Sequence, residues 1–221
     1  MTDTKHFLEK TKALDFAFQP IVDIHTREIY AVEALLRNVE TIGFGSIHHF
    51  FDTAYRLGLL YAVDLLLREK AIKKFTQLEN CGTIKLFYNL DNRLLDMEDY
   101  TTGNTEAMLK ASNVDKSALC FEISERHEVT KEGNGIIHIL EHYKKEGFQL
   151  AIDDFGIGFC REFVALLLQF RAQFDIIENF AIEHDPDRSI FVVNRLISAA
   201  QIDNAESGMG EPCRSVHKYS A

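Results

Sequence analysis

The feature that most constrains this chain is a regular alternation of short strand-like runs with longer helix-like segments. Residues 16–22 and 28–36 read as neighbouring strands joined by the turn DIHTRE. Residues 48–75 carry helical apolar spacing, broken near Gly58. A short apolar strand follows at 84–90, a helix at 105–112 and another strand at 118–124. Residues 135–145 place Ile136, Ile139, Leu140 and Tyr143 at the spacing of one buried helix face. A strand at 150–152, a helix at 162–170, a strand at 174–177 and a helix at 189–201 complete the pattern. Strands that alternate with helices imply βα units, and therefore a parallel sheet or barrel. The last 20 or so residues show neither period and read as irregular tail. A closed barrel of eight βα units typically needs about 250 residues. This chain has 221 and gives six strand signals.

Composition excludes several functions. The chain has 24 basic against 34 acidic residues, a formal net charge of -10. A nucleic-acid polymer needs clustered Lys and Arg to neutralise its phosphates, so none is expected as partner. One small anionic ligand stays open, because a divalent metal can invert the local sign. The four cysteines form no Cys-x-x-Cys pair and no zinc-finger spacing. The N-terminus has no apolar signal region, and no run of about 18 apolar residues offers a membrane span. A cytoplasmic protein without membrane attachment is expected.

The chemistry lies at the ends of the strand signals. Glu33 sits in YAVEALLR, Asn89 ends KLFYNL and Glu122 sits in LCFEISE. Asp153 and Asp154 end LAIDD, just before the glycine loop FGIGF. In a barrel, the C-terminal ends of separate strands converge on one site. Carboxylate and amide oxygens gathered there suit Mg²⁺ or Mn²⁺. An adjacent Asp pair can bridge two ions, which together activate water and stabilise an in-line displacement at phosphorus. Taken singly, each signal has a plainer reading. Glu33 can be an exposed acid, Asn89–Leu90–Asp91 can be turn chemistry, and Asp153–Asp154 can be a strand exit with an Asx turn. Their order and number carry the argument.

That ordered set resembles the EAL domain family. FQPIVD followed by VEALLR is similar to the family's opening, with Glu33–Ala34–Leu35 as the signature triplet. FYNLDNRLL is similar to its strand-end Asn motif, Glu122–Ile123–Ser124–Glu125 to its Glu-x-x-Glu motif, and Asp153 to Gly158 to its Asp-Asp-Phe-Gly-x-Gly motif. The resemblance covers about residues 14–200. It implies a TIM-like (β/α) barrel of EAL type whose first strand or two run against the rest. It also implies binding and hydrolysis of cyclic di-GMP with two Mg²⁺ or Mn²⁺ ions. Glu33, Asn89, Glu122 and Asp153 would ligate metal, with Asp154 completing the second position. Gln19 and Arg37 would contact the dinucleotide, and Glu125 would brace the glycine loop. Glu33, Asp153, Asp154 and Glu125 would be the catalytic set.

The chain also departs from the family. Glu178, in FDIIENF, stands where the family places a Lys beside the metal site. Cys160 follows Phe159 where the family usually has Ser. The Glu-Gly-Val-Glu motif of strand seven and the Gln of strand eight have no counterpart. The expectation is therefore an incomplete barrel, with strands seven and eight missing, formed by residues 1–201 and followed by a tail at 202–221. Hydrolysis is expected to be impaired, leaving a module that binds cyclic di-GMP. The alternatives are a protein-interaction scaffold and an active phosphodiesterase. Exposed barrel edges invite a homodimer or a protein partner.

Overall fold

A computed structural model describes residues 2–23, 26–124, 135–153 and 190–192, with side chains for most of them. The chain opens with helix α1 (Thr2–Thr11), then strands β1 (Asp15–Val22) and β2 (Ile29–Arg37). Helices α2 (Ile47–Arg56) and α3 (Leu60–Phe75) lead to β3 (Lys85–Leu90). Helix α4 (Asn104–Ala111), β4 (Leu119–Ser124), α5 (Gly135–Lys145), β5 (Gln149–Asp153) and β6 (Ile190–Val192) follow. The strands form one six-stranded sheet in the order β1-β2-β3-β4-β5-β6. β1 runs antiparallel to β2, and every later pairing is parallel. This is the TIM-like barrel arrangement with a reversed first strand, and among the described residues it reaches six strands.

The sheet divides its side chains by the period of two that any strand imposes. On β3, Leu86, Tyr88 and Leu90 face the helices and join the main core, while Phe87 belongs to a second, smaller cluster on the other face. β4 repeats this, with Leu119, Phe121 and Ile123 outward and Cys120 inward. The outer core is aliphatic and aromatic, and it is backed by α1 through α5. Inside it lies one charged pair. Arg68 of α3 bonds Asp64 one turn earlier, and both are almost fully buried. Arg68 also bonds the Thr105 hydroxyl, and its guanidinium lies 4.9 Å from the Phe121 ring centroid. Burial opposes the charged guanidinium, but the Asp64 carboxylate outweighs it and holds Arg68 protonated.

Several elements follow directly from local chemistry. The break near Gly58 is the turn between α2 and α3, where Gly58 takes φ 68°. That left-handed conformation strains any residue with a Cβ. Ser46 caps α2 by accepting a hydrogen bond from the His49 amide at 3.1 Å. α5 occupies the residues its periodicity predicts.

Two readings differ from the structure. Residues 190–192 were expected to lie in a helix spanning 189–201, but they form β6 against β5. An apolar run of Ile, Phe and Val fits either element locally, and pairing with Leu150–Ile152 decides for strand. Helix α1 is absent from the sequence expectation. Its inward face is narrow: Phe7 and Thr11, one turn apart, are its buried residues among those described. The expected strand at 174–177 and helix at 162–170 lie outside the described residues, as does the expected tail. No described helix is long and apolar enough to cross a membrane.

Candidate functional site

The inner face of the sheet is layered. At one end, the Lys85 ammonium donates to the Gln149 side-chain oxygen at 2.6 Å and lies 5.3 Å from the Tyr30 ring centroid. Burial pulls the Lys85 pKa down. Above this floor, Ala31, Phe87, Cys120 and Ala151 form a fully buried plug, with Ile21 and Tyr30 packed against it. Burial, and then the nearby Glu122 carboxylate, push the Cys120 thiol well up, so it stays protonated and inert.

Beyond the plug, the strands deliver polar side chains, with Asn89 next to last in β3 and Glu122 in the second half of β4, while Glu33, expected at a strand end, lies in the middle of β2. Strand register explains the grouping. Asn89 pairs with Glu122 across β3 and β4, and Glu33 pairs with Phe87, two residues before Asn89 on the same face. The Asn89 side-chain amide donates to Glu33 Oε1 at 3.0 Å and to Glu122 Oε2 at 3.5 Å. Glu122 is 1% exposed, Glu33 is half-buried and Asn89 is open to solvent. One amide nitrogen thus bridges two carboxylates from flanking strands. β5 ends at Asp153, which pairs with Ser124 and follows Ala151, the register partner of Glu122, by two residues. Asp153 therefore occupies the next position on the strand in line with the cluster. Its side chain, Asp154, Glu125 and Glu178 lie outside the described residues.

Two further residues named from the sequence flank this group. Gln19 is the cross-strand partner of Glu33 on the reversed strand β1 and is exposed. Arg37 ends β2 and is exposed, and its guanidinium donates to the Leu36 carbonyl at 3.0 Å. Among the described residues Arg37 makes no ion pair.

The donor set fits a hard divalent ion. Such ions prefer carboxylate and amide oxygens, which Glu33, Glu122 and Asn89 would supply. Asn89 would then turn its amide to present oxygen instead of nitrogen, a rotation of one side-chain torsion. Among the described residues no group of three His, Cys, Asp or Glu side chains is gathered closely enough to hold a metal by itself. Two carboxylates and one amide are what those residues supply.

One feature escaped the sequence reading. Asp91, two residues after Asn89, accepts from the Arg93 amide at 3.0 Å, so the turn chemistry foreseen at this strand exit is present. The same Asp91 also holds the Arg93 side chain, with Nε at 2.9 Å and Nη2 at 2.7 Å. Arg93 then reaches Asp52 on α2 at 2.8 Å and lies 4.7 Å from the Tyr55 ring centroid. The Asp91 and Asp52 carboxylates keep the Arg93 guanidinium firmly charged. The available signal was an Asp two residues before an Arg in a strand-exit turn.

Comparison with known proteins agrees with this geometry. The EAL domain family matches residues 4–202. A probable cyclic di-GMP phosphodiesterase, PdeI of Escherichia coli, is 29% identical over 151 residues, which is 66% of this chain and 19% of that protein. A standalone versatile EAL protein from Vibrio cholerae, solved in its c-di-GMP-bound form, is 31% identical with a TM-score of 0.54, over 69% of this chain and 62% of that one. Klebsiella pneumoniae BlrP1, solved as manganese/cyclic-diGMP and calcium/cyclic-diGMP complexes, is 27% identical with a TM-score of 0.57, over 71% of this chain and 38% of that one. The chain thus spans less than two thirds of the length of each of these relatives. With the reversed first strand and the parallel remainder, the match identifies the chain as a member of the EAL domain family.

Proposed function

We propose that this chain is a cyclic di-GMP-binding EAL module that takes the dinucleotide through a divalent ion and hydrolyses it poorly. The observation that carries the reading is the Asn89 amide held between Glu33 and Glu122. Three side chains from three strands are already gathered where an ion would sit. Glu33, Asn89, Glu122 and Asp153 would hold Mg²⁺ or Mn²⁺, and Asp154 would complete a second position. An ion bound there neutralises the carboxylates and lets an anionic phosphate approach. Arg37, exposed at the end of β2, would fork onto a phosphate, and Gln19 would contact the ligand from β1. Glu125 would brace the loop after Asp154. The relatives solved with cyclic di-GMP support the choice of ligand.

Impaired turnover is read from residue types. Glu178 stands where the family's Lys is expected and adds a negative charge in place of a positive one. At about 4 Å and an effective dielectric near 20, one such like-charge contact costs about 4 kcal/mol before relaxation. Residues 1–201 would form the EAL unit and 202–221 its tail, in a cytoplasmic protein in which an incomplete barrel would take a second copy or a protein partner at its edges.

Calorimetry with cyclic di-GMP, run with Mn²⁺ and then with EDTA, tests the reading. Binding with the ion and its loss with EDTA is the expected result. A flat titration with excess Mn²⁺ on folded protein would leave a protein-interaction scaffold instead. A parallel hydrolysis assay should give turnover well below about 1 s⁻¹, and a faster rate would assign the chain as an active phosphodiesterase.

A further inference from the structure

We infer that Arg93 is a positioning residue that locks Asn89 into the site by tying the exit of β3 to helix α2. This rests on the metal-binding reading of Glu33, Asn89 and Glu122. The two strands that carry Glu33 and Asn89 continue into different segments. β2 leads through Arg37 into α2, and β3 leads through Leu90 into the turn at Asp91. The β2–β3 ladder stops at Ala34 and Tyr88, while on its other side β3 stays paired with β4 through Asn89 and Leu90. Backbone pairing thus holds Asn89 against β4 alone, and its placement relative to β2, which carries Glu33, is left to contacts beyond the strands.

Arg93 spans the gap. Its bidentate grip on Asp91, at 2.9 and 2.7 Å, freezes the turn two residues after Asn89. Its third donor bonds Asp52 on α2 at 2.8 Å, and Tyr55, one turn later on α2, lies under the guanidinium plane. α2 is a firm anchor, since Phe50 and Ala54 are fully buried in the outer core. The planar fork matters: Lys carries the same charge but cannot bond two carboxylates in fixed geometry and stack on a ring at once. Arg93 itself is mostly shielded, at 18% side-chain exposure, so solvent competes little with these bonds.

The test needs a readout of Asn89 that does not depend on metal. The side-chain amide resonance of Asn89, assigned by its loss in Asn89→Ala, reports its two carboxylate bonds in the metal-free chain. Arg93→Gln should shift this resonance and weaken Mn²⁺ binding by about tenfold, the scale found when outer partners of metal ligands are removed. Arg93→Lys should recover less than half of the lost affinity. Phe148→Leu, a core change just before β5, should lower the melting temperature and move neither reading. An unshifted Asn89 resonance in Arg93→Gln, or unchanged Mn²⁺ affinity despite a shift, overturns the inference. So does a control variant that shifts both. If the parent chain binds no Mn²⁺, the metal reading of the site fails, while a displaced Asn89 resonance in Arg93→Gln still establishes the clamp.

Discussion

The two faces of the sheet solve opposite problems with the same strands. The outer face hides one charged pair, Asp64–Arg68, under aromatic rings, and leaves Arg68 Nε and the Tyr143 hydroxyl without a hydrogen-bond partner. The inner face holds Glu33 and Glu122 close together near solvent, with an uncharged amide between them. The first arrangement is costly to desolvate and is tolerated because each buried charge keeps its partner, so losing either one is expensive. The second tolerates like charges side by side, a cost natural sites accept where a ligand relieves it. Adjacent residues of one strand, such as Tyr88 and Asn89, therefore answer to different selection.

The largest effect expected from breaking this contrast lies on the outer face. Asp64→Ala leaves Arg68 buried without its carboxylate and should cost about 3–5 kcal/mol of unfolding free energy. Urea denaturation followed by circular dichroism measures it, and a loss under 1 kcal/mol would mean that solvent reaches Arg68. On the inner face, Mn²⁺ at about 100 times its dissociation constant should raise stability by about 2.7 kcal/mol, through mass action alone. Glu33→Ala should abolish that rise. A rise that persists in the variant places the ion elsewhere.

A smaller effect should run in the opposite sense. Glu122→Gln removes one of two neighbouring carboxylates while keeping shape and hydrogen-bonding capacity. It should stabilise the metal-free chain slightly, because the remaining carboxylate loses a like-charged neighbour, and remove the Mn²⁺ response. A destabilised variant would show that Glu122 is held by bonds that require its charge.

The smallest effect is a pH dependence on the outer face. His142 of α5 meets the Tyr100 hydroxyl at 2.6 Å, and partial burial lowers its pKa below the ordinary value of 6.5. The folded chain then binds fewer protons here than the unfolded one. The contribution of His142 is present above about pH 6.5 and is lost as pH falls through the folded value. The melting temperature of the parent should therefore drop more than that of His142→Gln between pH 7 and pH 5.5. Equal drops would show that other groups carry the acid sensitivity.

Legibility in the sequence followed the same division. The alternation of β3, with Leu86, Tyr88 and Leu90 against Phe87 and Asn89, is visible as a period of two, and so the strand and its faces could be read. Glu33, Asn89 and Glu122 stood out because strand ends in a barrel converge, whatever the intervening sequence. β6 was missed because Ile190–Val192 has no alternation to read, and its partner strand lies some forty residues earlier. Arg93 was missed for a related reason. Its near partner Asp91 looks like ordinary turn chemistry, and its decisive partner Asp52 lies 41 positions away. Local pattern reveals what a residue is next to, whereas the clamp depends on which helix the fold returns to that strand exit.

The bridging amide of Asn89 bears on the order of events in this protein's life. In small metal-dependent domains, unpaired ligand charges hold the chain open until the ion arrives, so folding and loading are one step. Here a side chain carrying both a donor and an acceptor end can face the two acids with its N–H groups first and offer its oxygen afterwards. The sheet can form without leaving Glu33 and Glu122 uncompensated. On the proposed metal-binding function, folding would be complete before loading begins, and occupancy of the site would follow the supply of ion and nucleotide instead of the supply of newly made chain.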